Sequence, residues 1–513
     1  MSARPLPVSP PAEQGVDASG ITAFLDAVEA NPDIEPHSLM ILRHGHLVAS
    51  GWWAPYTPER LQLLYSLSKS FTSTAAGFAV AEGLLDLDRP VISYFPEFEA
   101  DITDPRSRAM LVRHVAAMAS GHLTETWADA FRLDRSETVR GFLLIPPDRD
   151  PGTVFAYNQS ATYTLASILQ RVTGLSLTDY LRPRLFEPLG IGETAWTRNR
   201  AGREIGFSGL HAATDAVARL GQLYLDEGVW EGRRLLPASW IAEATRAHVA
   251  NADGTPEGAR SDWQQGYGLQ FWRGRHGYRG DGAFGQFCVV LPEHDAVIAT
   301  TAATDRMQEL LELMWRHLLP AFGAAPPPAA SGRDEALRGR LARLTIPPVE
   351  AAAEPSEPRD AWSQAEFVPA GGVCAAQRTL TGVLVAGGDA GGDAWEGTEG
   401  DAGGDKGIRV TLVEGEQRLE LRIEGPEWNV EPGPVPTAVS GGWTTPDTLR
   451  VDVLFLETPH RLTVECALPG RTFTARWHTT PLGARSLHSL RAPSQSPSTG
   501  PRKTPHLATP SAT

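Results

Sequence analysis

Lysine is nearly missing from this chain. Of its 46 basic residues only three are lysines, Lys69, Lys406 and Lys503, so Lys69 is alone in the first 405 positions. Cysteine is also scarce. Cys288, Cys374 and Cys466 lie far apart, are odd in number and form no CxxC pair. This spacing argues against a disulfide framework or a cysteine zinc site and favours reduced thiols. No run of about 18 apolar residues occurs, so no membrane-spanning helix is expected. Positive charge is in deficit, with a net charge of −15. Nucleic acids and anionic membranes select basic surfaces, so neither is an expected partner. The stretch "MSARPLPVSPPAEQG" lacks the apolar core of a secretion signal, which makes the cytoplasm the expected compartment. GxSxG, HExxH and Walker A patterns are absent, which removes support for the common rival hydrolase and nucleotide-binding classes. "GDGAFG" fits GxGxxG by letter, but a strand pattern follows it where a dinucleotide site needs a helix.

A chain of 513 residues is too long for one typical domain. Residues 1–15 are Pro-rich and expected to be disordered. Residues 16–323 carry mixed strand and helix signals of a globular domain. "SLMILRHGHLVASGWW" reads as two strands turning at "HGH". "ATYTLASILQRVTG" has helical spacing with Gly174 as its C-cap. "QFCVVLPEHDAVIATTA" reads as a second strand pair, and "MQELLELMWRHLLPAF" as an amphipathic helix. Residues 324–360 have the Ala/Pro/charge-rich composition of a linker with one short helix near 333–344. Residues 361–485 alternate apolar and polar side chains with period two, an all-β module interrupted by the low-complexity "AGGDAGGDAWEGTEGDAGGDKG". The Ser/Thr/Pro-rich tail, 486–513, is expected to be disordered.

The lone lysine sits in "YSLSKSFTSTAAGFAVAEG". Leu67, Phe71 and Phe78 fall on one helical stripe, with Gly83 as the stop. Ser66 then lies near the helix start, beside backbone N–H groups that can stabilise an anion. Ser66 and Lys69, three apart, share a face one turn apart. Burial disfavours a charged amine, so Lys69 can act as a neutral base, whereas arginine stays cationic. Position 69 thus has a reason to escape the near-total use of arginine. Ser68 and Ser70 are alternative nucleophiles, but neither has a lysine at +3.

These residues resemble the first motif, SxxK, of the serine β-lactamase and penicillin-binding-protein-like hydrolases, closest to the class C-like branch that includes esterases, D-amino-acid peptidases and amide hydrolases. The resemblance covers about residues 16–322. It implies an α/β (α+β) fold, with an antiparallel sheet flanked by helices, an all-helical subdomain and the active site between them. The C-terminal all-β module would then cover the cleft or mediate association. It also implies Ser66 as the acylated nucleophile and Lys69 as its partner. The second motif, Tyr-x-Asn after "PGT", falls on "DPGTVFAYNQSATYTLA". Tyr157 matches the tyrosine, a general base and then acid; Tyr163 is its competitor and reads as core packing. Gln159 stands where asparagine is expected and Asn158 one place early, so either is a candidate to hydrogen-bond the substrate amide. The third motif falls on "RHGYRGDGAFGQF" without its cationic triplet. An ungapped register gives Gly277-Tyr278-Arg279; a shorter loop gives the preferred Gly280-Asp281-Gly282, with the backbone N–H groups of Ala283 and Ser66 as oxyanion donors. Asp281, Gly282 and Ala283 are thus substrate-binding candidates. Loss of the cation and gain of Asp281 argue against a carboxylate-bearing β-lactam, although Arg279 could restore charge.

The expectation is a serine hydrolase acting on a small-molecule ester or short amide, with no cofactor and no metal. His44 and His46 have metal-pair spacing but sit at the hairpin turn with no third ligand nearby. His114 and His211 read as packing or capping residues. Two alternatives stay open: a non-catalytic binding protein on the same fold, and a β-lactamase.

Overall fold

The strands Glu35–Arg43 (β1) and His46–Trp52 (β2) form the expected hairpin around His44-Gly45. Trp272–Gly274 (β3), Gly277–Gly282 (β4), Gln286–Leu291 (β5) and Ala296–Ala303 (β6) complete a six-stranded antiparallel sheet in the order β2-β1-β6-β5-β4-β3. The computed structural model describes residues 5–323, 330–355, 359–362, 364–387, 407–483 and 486–494. β1 shows why this sheet is central. Met40 and Leu42 enter one apolar core, and Leu39 and Ile41 enter the other, so successive side chains serve opposite faces. Helices Ala18–Glu29 (α1) and Met307–His317 pack against the second core. Between Leu63 and Thr194 every regular element is helical, which makes the helical subdomain.

Two helices of the first core position the candidate site residues. Ser68–Ala81 (α2) follows a 3₁₀ turn at Tyr65–Leu67 and ends before Gly83, whose φ of 72° suits glycine. Its Ser, Thr, Ala and Gly content lets neighbours approach on every side: a Cβ on Gly77 would lie 2.5 Å from Trp240 Nε1. The buried hydroxyls bond surrounding carbonyls, Ser70 to Gln270, Ser73 to Leu269 and Thr72 to Gly206. Gln159–Thr173 (α3) is capped by Asn158 and stopped by Gly174 in the left-handed region.

The C-terminal strands form one nine-stranded sheet. They are Ala365–Pro369 (β7), Gly382–Gly387 (β8), Ile408–Glu414 (β9), Gln417–Ile423 (β10), Asn429–Glu431 (β11), Thr437–Thr445 (β12), Thr448–Phe455 (β13), His460–Ala467 (β14) and Thr472–Trp477 (β15). Their order is β10-β9-β8-β7-β15-β14-β13-β12-β11, and β10 returns against β12, so the sheet is nearly a barrel. Alternate residues such as Val451, Val453 and Phe455 fill its interior.

Three expectations of disorder or looseness need correction. Residues 5–15 are ordered: Leu6 is buried, Ser9 N–H donates to Leu47 O, and Leu47 N–H donates to Pro7 O. The linker helix, Ala330–Leu341, packs on α1 and β2, where Gly51 leaves room for Leu341 and Leu344. The start of the tail is tied down by Ser486 and the Leu487 N–H on Glu414, with Leu487 buried. In each case a few apolar side chains find a groove that composition does not reveal. The low-complexity segment falls largely outside the described residues.

Candidate active site

The site starts at the strained entry to α2. Tyr65 has φ 47°, a left-handed conformation unusual for a residue with a side chain. The Leu64 N–H on Leu210 O holds the turn in place. Ser66 is half-buried at its crest, and Lys69 is 1% exposed one turn further on. Lys69 Nζ donates to Ser66 Oγ at 3.0 Å, Gln159 Oε1 at 2.7 Å and Phe207 O at 2.7 Å. It lies 4.8 Å from the Tyr157 ring centre and 5.7 Å from that of Phe207. Burial pulls its pKa down to about 7, opposed by the negative charges of Glu125 and Asp281. The rival serines are occupied elsewhere: Ser68 Oγ donates to Tyr65 O and accepts from the Leu210 N–H, and Ser70 Oγ donates to Gln270 O.

Tyr157 stacks on Trp272, with ring centres 5.3 Å apart, and stands edge-on to Tyr267. Burial pushes its phenol further from ionisation, against the opposing pull of the neighbouring Ser66 side chain. Tyr163 instead accepts from Asn199 Nδ2 within the core. Asn158 does not reach the cleft. It is fully buried, its Oδ1 accepts from the Ser160 N–H and Thr126 Oγ1, and its Nδ2 donates to Thr124 O. Capping uses up its side chain, which corrects the expectation of a substrate contact there. Gln159 is the residue at the site, and its oxygen faces Lys69.

β4 runs beside the Ser66 turn. A Cβ on Gly282 would lie 2.1 Å from Leu64 O and 3.1 Å from Leu67 N; one on Gly280 would lie 2.4 Å from Leu67 Cδ1. The register at 280–282 therefore packs on the turn that carries Ser66, and its two glycines permit that approach. Ala283 follows where the strand turns, and its carbonyl accepts from Gln286 Nε2. Asp281 points to Arg279, whose Nε lies 2.9 Å from Asp281 Oδ2. Arg279 also donates to Asp262 O and covers the Trp263 ring. Its charge is thus paired and buried, and does not replace the missing cation. Burial raises the Asp281 pKa against the pull of Arg279 and Lys69.

Two contributors escape sequence reasoning. Glu125 accepts the N–H groups of Thr126, Trp127 and Gln159, which fixes a carboxylate beside Lys69. Phe207 supplies a carbonyl and a ring, and no motif marks either residue. His114 accepts the Leu111 N–H as a helix cap. His211 is buried in a short strand, where burial lowers its pKa to about 4. At the hairpin His44 is exposed and bonded to Gln14, and His46 is half-buried and bonded to the His44 carbonyl. Among the described residues no group of three or more His, Cys, Asp or Glu is placed to hold a metal, and no helix is long and apolar enough to cross a membrane.

The chain is 28% identical over 300 residues to a 6-aminohexanoate-dimer hydrolase of Paenarthrobacter ureafaciens, covering 53% of this chain and 76% of that protein. It is 28% identical over 357 residues to penicillin-binding protein 4 of Amycolatopsis lactamdurans, covering 61% and 90%. Its fold superposes on a putative 6-aminohexanoate-dimer hydrolase from Bacillus anthracis with a TM-score of 0.51 at 18% identity, over 61% of this chain and 87% of that one. Residues 24–322, more than half of the chain, match the Beta-lactamase family, and the protein belongs to that family as a serine hydrolase.

Proposed function

We propose that this protein cleaves a small-molecule ester or short amide through an acyl-enzyme on Ser66. The observation that carries the reading is the buried amine of Lys69, 3.0 Å from Ser66 Oγ with a pKa near 7. In its neutral form Lys69 takes the proton from Ser66 as Oγ attacks the carbonyl carbon. The N–H groups of Ser66 and Ala283 receive the developing oxyanion. The phenol of Tyr157, held close to ionisation neither by charge nor by exposure, is suited to relay that proton to the leaving alkoxide or amine rather than to start the reaction as a phenolate. The C–O or C–N bond then breaks, and water, deprotonated by the same pair, releases the acid and returns the proton to Ser66.

Tyr157 and Phe155 are half-buried and backed by the buried rings of Tyr267 and Trp272, an aromatic surround beside Ser66 and Lys69 that favours an apolar acyl or leaving group. Asp281 and the pairing of Arg279 leave no free cation on β4 for a substrate carboxylate, which favours esters and amides over β-lactams. The test is a fluorophosphonate probe followed by peptide mapping. Labelling at Ser66 that is lost in Ser66→Ala supports the reading; unlabelled wild type, with no turnover of p-nitrophenyl butyrate or a cephalosporin, would leave a binding protein on the same fold.

A further inference from the structure

Each candidate oxyanion donor adjoins a strained aromatic residue. Tyr65, with φ 47°, precedes the Ser66 N–H, and Phe284, with φ 69°, follows Ala283. The two rings meet edge-on at 5.3 Å. A third ring closes the group, and it comes from the C-terminal module: His460, at the start of β14, is fully buried, 5.3 Å from Phe284 and 5.9 Å from Tyr65, near perpendicular to both. Its Nδ1 lies 2.9 Å from Thr479 O. A carbonyl only accepts, so Nδ1 carries the proton and Nε2 is bare. Nε2 therefore accepts from the Tyr65 hydroxyl, 2.6 Å away. Neighbouring bonds lock the module at this place. Leu63 N–H donates to Glu457 O at 2.9 Å, and Arg461, next to His460, pairs with Glu35 of β1 at 3.0 Å.

We propose that His460 is a positioning residue for the reaction: the β module supplies the side chain that holds Tyr65 and Phe284, and through them both N–H donors of the oxyanion hole. The module is then part of the active site's frame rather than a cover or an association surface. This rests on the acyl-enzyme reading above. A left-handed residue relaxes towards commoner backbone angles when its restraint is removed. Relaxation at Tyr65 turns the Ser66 N–H, and relaxation at Phe284 moves the Ala283 turn.

The test uses the full chain with p-nitrophenyl butyrate and the fluorophosphonate probe. Tyr65→Phe removes only the hydroxyl, and His460→Phe keeps a ring against Phe284. Each is expected to lower kcat and the labelling rate about 100-fold, the scale of one lost oxyanion donor, with KM changing less than about threefold. The double variant should be no worse than the poorer single one, because both break one link. His460→Gln, which offers an acceptor to Tyr65, should recover part of kcat. Circular dichroism and thermal melting establish that each variant is folded under assay conditions. Folded Tyr65→Phe and His460→Phe with wild-type kcat would overturn the proposal while leaving the acyl-enzyme reading intact. Losses that merely add in the double variant would also overturn it. A wild type that neither turns over nor labels at Ser66 would sink the underlying reading and this proposal with it.

Discussion

Lys69 Nζ sits 3.0 Å from Ser66 Oγ while also donating to the Gln159 side chain and the Phe207 carbonyl. As an ammonium it can fill all three directions. As a neutral amine it keeps two donors for Gln159 and Phe207 and turns its lone pair to Ser66. The two fixed acceptors thus aim the amine's lone pair at Ser66 Oγ, and burial makes the neutral form accessible near pH 7.

Lys69→Arg should therefore be inactive although it keeps the charge. A guanidinium does not give up its proton, and its planar fork does not fit the three acceptors. We expect kcat on p-nitrophenyl butyrate to fall at least about 10³-fold, comparable to Ser66→Ala, because groups that act as a unit fail together. Steady-state kinetics on the two variants and their double mutant decide this. Arginine supporting near-wild-type turnover would refute the free-amine role.

The pH profile carries the same signature. Lys69 must be neutral in the free enzyme, so kcat/KM should climb with pH through about 7 and level off above it. In the proposed reaction Tyr157 works as a neutral phenol, and burial moves its ionisation upward, so it should set no fall in the neutral range. A profile already flat from pH 5 would contradict the assignment of Lys69 as base.

Gly282 tests the packing of β4 on the Ser66 turn. An alanine methyl there would lie 2.1 Å from Leu64 O, a distance that requires backbone to move. Gly282→Ala is expected to lower kcat about 100-fold or more and to destabilise the fold by about 1–3 kcal/mol, as overpacking does. Gly192→Ala, which has open space around its Cβ position, should match wild type in both kinetics and melting temperature.

The parts of this site that the sequence made legible are local ones. Ser66 and Lys69 are three residues apart, so helix geometry alone brings them together, and Gly280 and Gly282 alternate along one strand. Asn158 and Gln159 could not be separated by spacing, because which side chain caps α3 and which meets Lys69 depends on where the helix begins. Glu125 and Phe207 reach Lys69 from loops without a pattern. His460 lies 395 residues from Tyr65, and only the docking of the β module on β1 and the Ser66 turn brings them into contact. The ordered residues 5–15 illustrate the same limit. Their proline content signals an extended chain, and the groove beside Leu47 that receives it is a property of the folded surface.

Asp281 links stability to chemistry. It is buried with Arg279 at 2.9 Å, and its negative charge raises the Lys69 pKa. Asp281→Asn leaves the Arg279 guanidinium buried without a counter-charge, so unfolding free energy should drop by about 3–5 kcal/mol. The same change removes a negative charge near Lys69 and uncovers a positive one, and both disfavour the ammonium. The rise of kcat/KM should therefore move to lower pH than in wild type. Replacing the pair together, as Arg279→Met with Asp281→Leu, should recover much of the stability, because no unpaired charge remains. It should still show the acid-shifted rise, since the Asp281 charge is gone. Denaturant unfolding and pH–rate profiles on the three proteins separate these effects. An unshifted rise in Asp281→Asn would mean that Asp281 does not tune the base.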